Sequence, residues 1–262
     1  MSAPLRTRSR DGTSIAFERT GDGPPLILVD GALCSRAFGP LGKLAEALAP
    51  RFTVFTYDRR GRNESGDTRP YAVARELEDL EALIQETGGP AHVAGLSSGA
   101  TLALEAAAAG LPVRKLALFE PPYVAQGQGG TGPDHVGRLE ELVRPGRRGH
   151  AVRYFMVDMV GVPRVFTWVM RLMPMWSKLE AVAHTLPYDA AVMGDWTPPP
   201  RRAARVAVPT LVLGGEKSPE SLRIAVERTA AAIPGAERRV LPGQNHNVAP
   251  SVLAPVLTEF FA

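Results

Sequence analysis

The stretch Ala91-His92-Val93-Ala94-Gly95-Leu96-Ser97-Ser98-Gly99-Ala100-Thr101-Leu102 decides how this chain is read. Its first six residues are a short run, apolar on both faces except for His92, which suits a strand buried within a parallel sheet. From Ser98 onward the residues turn to Ala, Leu and Glu and read as a helix up to about residue 109. Between the two, Gly95-Leu96-Ser97-Ser98-Gly99 sets a serine on a strand-to-helix turn, with glycine two before and two after it. Such a turn strains the serine backbone, and the close approach of strand to helix leaves room only for small flanking residues. The hydroxyl also comes to the positive end of the helix, where alkoxide-like charge is favoured. In a chain with 26 glycines the GxSxG spacing alone says little. The strand-turn-helix setting is what makes Ser97 the candidate nucleophile.

Working outward, residues 26–29, 52–57, 116–119 and 210–213 are apolar runs of the same kind. Helical patterns cover residues 73–86, 98–109, 219–233 and 251–261. A further strand is expected at 237–241. Near the start, residues 5–10 and 14–19 read as a hairpin closed by a two-residue Asp11-Gly12 turn. The alternation predicts an α/β fold with a mostly parallel central sheet flanked by helices and joined by right-handed crossovers. Residues 123–205 break the rhythm and show no convincing strand. They open with a glycine-rich stretch at 127–132, close with Pro198-Pro199-Pro200, and hold all three tryptophans and six of the seven methionines. The expected organisation is a core of residues 1–122 and 206–262, interrupted by a helical insertion, 123–205.

Composition narrows the function classes. Charged residues are 22% of the chain and the net charge is only +3, with the basic residues scattered. Arg59-Arg60-Gly61-Arg62 and Arg201-Arg202 are too short for a nucleic-acid track, so no nucleic-acid partner is expected. One cysteine, Cys34, rules out an intramolecular disulfide and reads as structural. Residues 1–11 are polar and show no signal peptide, and no apolar run approaches the roughly 18 residues that span a bilayer. A cytoplasmic protein without membrane association is the default expectation. It would take a small-molecule substrate, as a monomer or homodimer. No His, Cys or Asp cluster has metal-ligand spacing, so neither metal nor cofactor is expected.

A serine hydroxyl needs a base. Of five histidines, His92 lies in a strand and His135, His150 and His184 lie in the insertion. His246, in Pro242-Gly243-Gln244-Asn245-His246-Asn247, follows the strand 237–241 and precedes the last helix. Nucleophile first and histidine last is the chain order for a serine on this kind of elbow, and it makes His246 the candidate general base. An oxyanion hole needs two backbone donors. They are expected from the Ser98 N–H and, in the loop Asp30-Gly31-Ala32-Leu33, from the Ala32 N–H.

With these motifs in view, the sequence resembles the α/β-hydrolase superfamily over essentially its whole length. The resemblance rests on Val29-Asp30-Gly31, Tyr57-Asp58-Arg59-Arg60-Gly61-Arg62-Asn63-Glu64-Ser65-Gly66, the Gly95-to-Gly99 elbow, Val208-Pro209-Thr210-Leu211-Val212-Leu213-Gly214-Gly215 and Gly243-Gln244-Asn245-His246. It implies that the insertion is a cap over the site, with Leu33, Trp168, Met173 and Trp176 as candidate substrate-pocket residues. The Tyr57-to-Gly66 stretch has no catalytic role on this reading. Two departures stand out. Family members often carry His-Gly where this chain has Asp30-Gly31, and that carboxylate either repels acidic substrates or hydrogen-bonds the loop. The resemblance also places a triad aspartate after strand 210–213, but the turn here reads Gly215-Glu216-Lys217-Ser218 and no aspartate follows Asp195. Glu120, ending strand 116–119 ahead of Pro121-Pro122, is favoured as the acid because haloalkane dehalogenases and some lipases place theirs at that strand end. Glu216 is the alternative, and a Ser–His pair without an acid stays open. The expected activity is cofactor-free hydrolysis of an uncharged, fairly hydrophobic ester or related carbonyl through an acyl-enzyme. The rivals are C–C hydrolysis, perhydrolysis or biosynthetic cyclisation on the same residues, and a non-catalytic binding protein.

Overall fold

Alternate residues of the central strands face opposite sides of the sheet, and both sides are apolar. Leu26, Leu28, Ala94, Leu96, Ala117 and Leu211 pack into one cluster, and Ile27, Val29, Val93, Leu116, Leu118 and Val212 into another. A strand buried on both faces needs helices on both, and this determines the architecture. The computed structural model describes residues 4–124, 134–143 and 146–262; the glycine-rich stretch 127–132 lies outside the described residues. Eight strands form one sheet: β1 Leu5–Arg8, β2 Ser14–Thr20, β3 Pro25–Val29, β4 Thr53–Tyr57, β5 Ala91–Leu96, β6 Val113–Phe119, β7 Thr210–Gly215 and β8 Glu237–Leu241. Their order is β1-β2-β4-β3-β5-β6-β7-β8, with β2 antiparallel to both its neighbours and every other pairing parallel.

The helices of the sheet layers are α1 Leu41–Leu48, α2 Val73–Glu86 and α3 Ser98–Ala108. Between β6 and β7 come α4 His135–Leu142, α5 Arg148–Tyr154, α6 Arg164–Met170, α7 Met175–Val182, α8 Leu186–Met193 and α9 Pro200–Ala203. After β7 follow α10 Glu220–Ala232 and α11 Pro250–Phe261. Helices α1 and α11 cover the Leu28 face, while α2, α3 and α10 cover the Ile27 face. Strand order reverses between β3 and β5: β3 pairs with β4 on one side and β5 on the other. The chain therefore leaves β3 toward one face and β5 toward the other, opening a crevice at their carboxyl ends, the usual place for a ligand in an open parallel sheet. Among the described residues no helix is long and apolar enough to cross a membrane.

Two local details differ from the sequence reading. The first hairpin closes through five residues, not two. Arg8 pairs with Ser14, Ser9 N–H donates to Thr13 O at 2.9 Å, and the Asp11 carboxylate accepts from Thr13 N–H at 2.9 Å. The Asp11 side chain competes for a backbone donor and widens the loop, with Gly12 taking a φ of 85°. Helix α1 was not assigned from sequence, although Leu41, Leu44, Ala45 and Leu48 carry helical spacing and are buried. Between β6 and β7 the described residues contain helices and no strand. Leu139, Val152, Trp176, Leu179 and Leu186 form a third cluster there, which takes in Leu33 from the loop after β3.

Candidate active site

Ser97 stands between β5 and α3 with φ 55° and ψ −127°, in the left-handed half of backbone space where a residue with a Cβ is strained. The flanking glycines are sterically required. A Cβ on Gly95 would come within 2.6 Å of Ala100 Cα, and one on Gly99 within 2.6 Å of Asp30 O. Gly31 presses on the nucleophile from the neighbouring loop, with space for a Cβ only 3.1 Å from Ser97 Cβ. Leu33 and Glu120 also hold positive φ, at 61° and 47°. The chain is thus strained just past three adjacent parallel strands, β3, β5 and β6. Strain gathered at one edge of a sheet is a mark of a functional site, at about 1–3 kcal/mol for each such residue.

Ser97 and Glu120 are held side by side. Leu96 pairs with Phe119 across β5 and β6, and Ser97 N–H donates to Phe119 O at 2.9 Å. The His246 ring centroid lies 6.4 Å from that of Phe119. His246 Nδ1–H donates to Glu120 Oε2 at 2.6 Å. The other carboxylate oxygen of Glu120 accepts from Gly215 N–H at 2.7 Å and from the Ser218 hydroxyl at 2.5 Å. Glu120 is fully buried, while the His246 side chain is 39% exposed. Burial alone would raise the Glu120 carboxyl, but the bonds from His246, Ser218 and Gly215 outweigh it and hold the group below its ordinary range. The histidine loop is docked on the end of β7. Lys217 N–H donates to Gln244 O at 2.7 Å, and a Cβ on Gly215 would run into Gln244 and Asn245. Glu216 turns away: its carboxylate accepts from Gly243 N–H at 2.8 Å in an exposed setting. Nothing in the sequence reading had singled out Ser218 as a partner of Glu120.

The second feature missed from sequence is a buried ionic lattice beneath the loop after β3. Asp189 of α8 accepts from Arg62 Nη2 at 2.8 Å, Arg59 Nη1 at 2.7 Å and the Ser98 hydroxyl at 2.8 Å. Arg62 also donates to Gly31 O at 2.6 Å and Cys34 O at 3.2 Å, and Arg59 binds Glu76 through two bonds. The loop after β3, the start of α3 and the helical segment are therefore tied to one carboxylate. Three arginines in Arg59-Arg60-Gly61-Arg62 should have signalled buried partners, since a buried guanidinium is costly unless paired. Asp189, 127 residues from Arg62, had no sequence cue. Asp30, the unusual carboxylate beside Gly31, is buried and accepts from Gly31 N–H at 3.0 Å, so it braces the loop from within. Burial pushes it up to about 7 against the opposing pull of Arg62, Gly31 N–H, Cys34 and Arg59. The Cys34 thiol is pushed up by burial and by Asp30, which disfavours the thiolate a nucleophile would need.

The sequence profile of the alpha/beta hydrolase family matches residues 26–256. The chain belongs to that family. Over 98% of its length it is 54% identical to an alpha/beta hydrolase from Sphaerobacter thermophilus DSM 20745, all of whose crystallised chain is covered, with a TM-score of 0.91. An enol-lactonase from Burkholderia xenovorans LB400 shares the fold alone, at 19% identity and a TM-score of 0.74, with 98% of this chain and 99% of that one covered. An uncharacterised hydrolase of Bacillus subtilis (strain 168), YraK, is 35% identical over 98 residues. That match spans 36% of this chain and 35% of YraK.

In this alpha/beta hydrolase the candidate pocket residues divide. Leu33 is buried in the cluster between the loop after β3 and the helical segment. Trp168 is 66% exposed and Met173 48%, so neither is enclosed in that cluster. The reason is the roll of α6. Val165, Phe166, Trp168 and Val169 face outward and Thr167 faces inward, an orientation that aromatic content cannot reveal. Trp176 is buried, and it meets Trp168 at a cavity whose lining includes none of Ser97, Glu120 or His246. His92 packs edge-on against Phe52 and at a shallow tilt against Phe261, and His135 Nδ1 sits 2.9 Å from the Tyr154 hydroxyl, both as structural groups. Among the described residues no group of three His, Cys, Asp or Glu side chains is arranged to hold a metal.

Proposed function

We propose that this alpha/beta hydrolase cleaves uncharged, fairly hydrophobic esters or related carbonyl compounds through an acyl-enzyme on Ser97. The observation that carries the reading is the 2.6 Å bond between His246 Nδ1 and the buried Glu120 carboxylate, beside a serine strained on its elbow. A carboxylate there accepts a hydrogen bond from Nδ1–H and so leaves Nε2 as the lone-pair nitrogen, the tautomer a general base requires. Ser97 Oγ adds to the carbonyl carbon as its proton passes to His246 Nε2. The oxygen that becomes negative is held by the N–H groups of Ala32 and Ser98. Collapse expels the alcohol, which takes the proton from His246, and a water activated by the same nitrogen then releases the acid. Every step uses the chain and water alone. The helical segment acts as a cap, and its apolar cluster around Leu33 favours apolar acyl or alcohol groups over charged ones.

The test is labelling by a fluorophosphonate probe together with turnover of a p-nitrophenyl ester series from acetate to octanoate. Labelling should map to Ser97, and Ser97→Ala should abolish both labelling and turnover with an unchanged circular dichroism spectrum. Turnover retained above a few per cent of wild type in that variant would remove Ser97 from the mechanism.

A further inference from the structure

The cavity where Trp168 and Trp176 meet has a volume of about 490 Å³ and is lined by residues of α5, α6 and α7. Helix α6 contributes Arg164, buried Thr167 and exposed Trp168, and Arg171 follows at its C-terminal cap. Helix α5 adds Gly149 and Arg153, and α7 adds Trp176 and Glu180. Glu180 is already engaged: Trp176 Nε1–H donates to it at 2.9 Å, and its carboxylate occupies the space a Cβ on Gly149 would take. None of Arg153, Arg164 and Arg171 has a carboxylate within ion-pair distance among the described residues, whereas Arg138 and Arg202 do. Three guanidiniums against one engaged carboxylate leave the concavity positive, with an indole wall at its base.

We infer that this cavity is a second ligand site, distinct from the catalytic one, for a monocarboxylate carried on an apolar body. The apolar body lies against the Trp176 and Trp168 rings, and the carboxylate meets the arginine fork, which matches its two oxygens in geometry as well as charge. A carboxylate fits what a hydrolase of esters releases, so such a site would sense or hold acid in solution. A membrane surface fits less well. The arginines border a concavity whose lining includes buried Thr167 and Trp176, whereas a bilayer needs them spread along a flat face.

Two of the three tryptophans line the site, so intrinsic fluorescence reads it directly in the full-length protein. Sodium octanoate should change the emission along a saturable curve, with 1-octanol at the same concentration giving a much smaller change. Arg153→Gln/Arg164→Gln/Arg171→Gln should weaken octanoate by roughly tenfold or more, equivalent to loss of one or more charge-assisted contacts. Trp168→Phe should cut the signal while keeping the midpoint within about twofold, because the ring wall remains. Prior phosphonylation of Ser97, or Ser97→Ala if the probe does not react, should leave the midpoint in place. Octanoate affinity unchanged in the triple arginine variant would overturn the proposal. So would equal binding of octanol, or loss of binding on blocking Ser97. Binding to phosphatidylglycerol vesicles without binding to octanoate would make the patch a membrane contact instead.

Discussion

Changing Glu120 to glutamine separates the charge of this side chain from its shape. One carboxylate oxygen receives two donors, Gly215 N–H and the Ser218 hydroxyl, so an amide in this place must put its carbonyl oxygen there. Its NH2 group is then forced into the position of Oε2, 2.6 Å from His246 Nδ1. Two donors cannot face each other, so Nδ1 gives up its hydrogen and becomes an acceptor, and the proton moves to Nε2. The nitrogen that should take the Ser97 proton is then already protonated. The imidazolium formed in the transition state also loses its counter-charge. Together these should lower kcat by roughly 10³–10⁴, and four factors of ten at 1.36 kcal/mol each correspond to about 5.4 kcal/mol of barrier. Steady-state hydrolysis of p-nitrophenyl butyrate by Glu120→Gln and Glu216→Gln measures it. The second variant should stay within about twofold of wild type, since Glu216 makes one exposed bond to Gly243 N–H. A Glu120→Gln enzyme that melts as wild type does and keeps kcat within tenfold would refute the tautomer argument. A larger loss in Glu216→Gln would reassign the acid.

Three further outcomes are expected. Asp189→Asn should destabilise the protein by about 3–5 kcal/mol in urea unfolding, because Arg59 and Arg62 stay buried with their shared counter-charge gone; a loss below 1 kcal/mol would mean that Glu76 and the loop carbonyls suffice. Asp30 gives stability a pH dependence of opposite sign to that of Glu120. Its folded value is raised from 3.8 to about 7, so the folded state binds the extra proton, and stability falls as pH rises from about 4 to 7 by at most about 4 kcal/mol. Asp30→Asn should flatten that slope, which chemical denaturation at stepped pH will show. Glu120, held below its usual 4.5, contributes instead at higher pH and loses its contribution on acidification. Gly99→Ala should destabilise by about 3 kcal/mol or more or fail to fold, since the new methyl meets Asp30 O at 2.6 Å and backbone cannot swing aside as a side chain can.

Ser97 and its glycines were legible in the sequence because an elbow is a local object: five residues contain the strand end, the turn and the helix start, and their steric needs fall at set spacings. His246 was legible for a related reason, since it is the histidine between the last strand and the last helix, where chain order alone marks the place. The sheet was equally readable, because strands buried on both faces announce themselves as unbroken apolar runs. What chain order could not decide was which carboxylate reaches the imidazole. Glu120 and Glu216 both end strands, and β6 and β7 are neighbours in the sheet. Only the folded chain shows that Glu120 turns inward at φ 47° to meet Nδ1 while Glu216 is drawn to a glycine N–H. The same holds for Ser218, for Asp189 beneath the loop after β3, and for the roll of α6 that carries Trp168 outward. Each depends on contacts between segments far apart in sequence, or on the angle at which a short helix docks. Spacing within a segment encodes the shape of that segment, and the partners it finds across the molecule are settled only when all the segments pack.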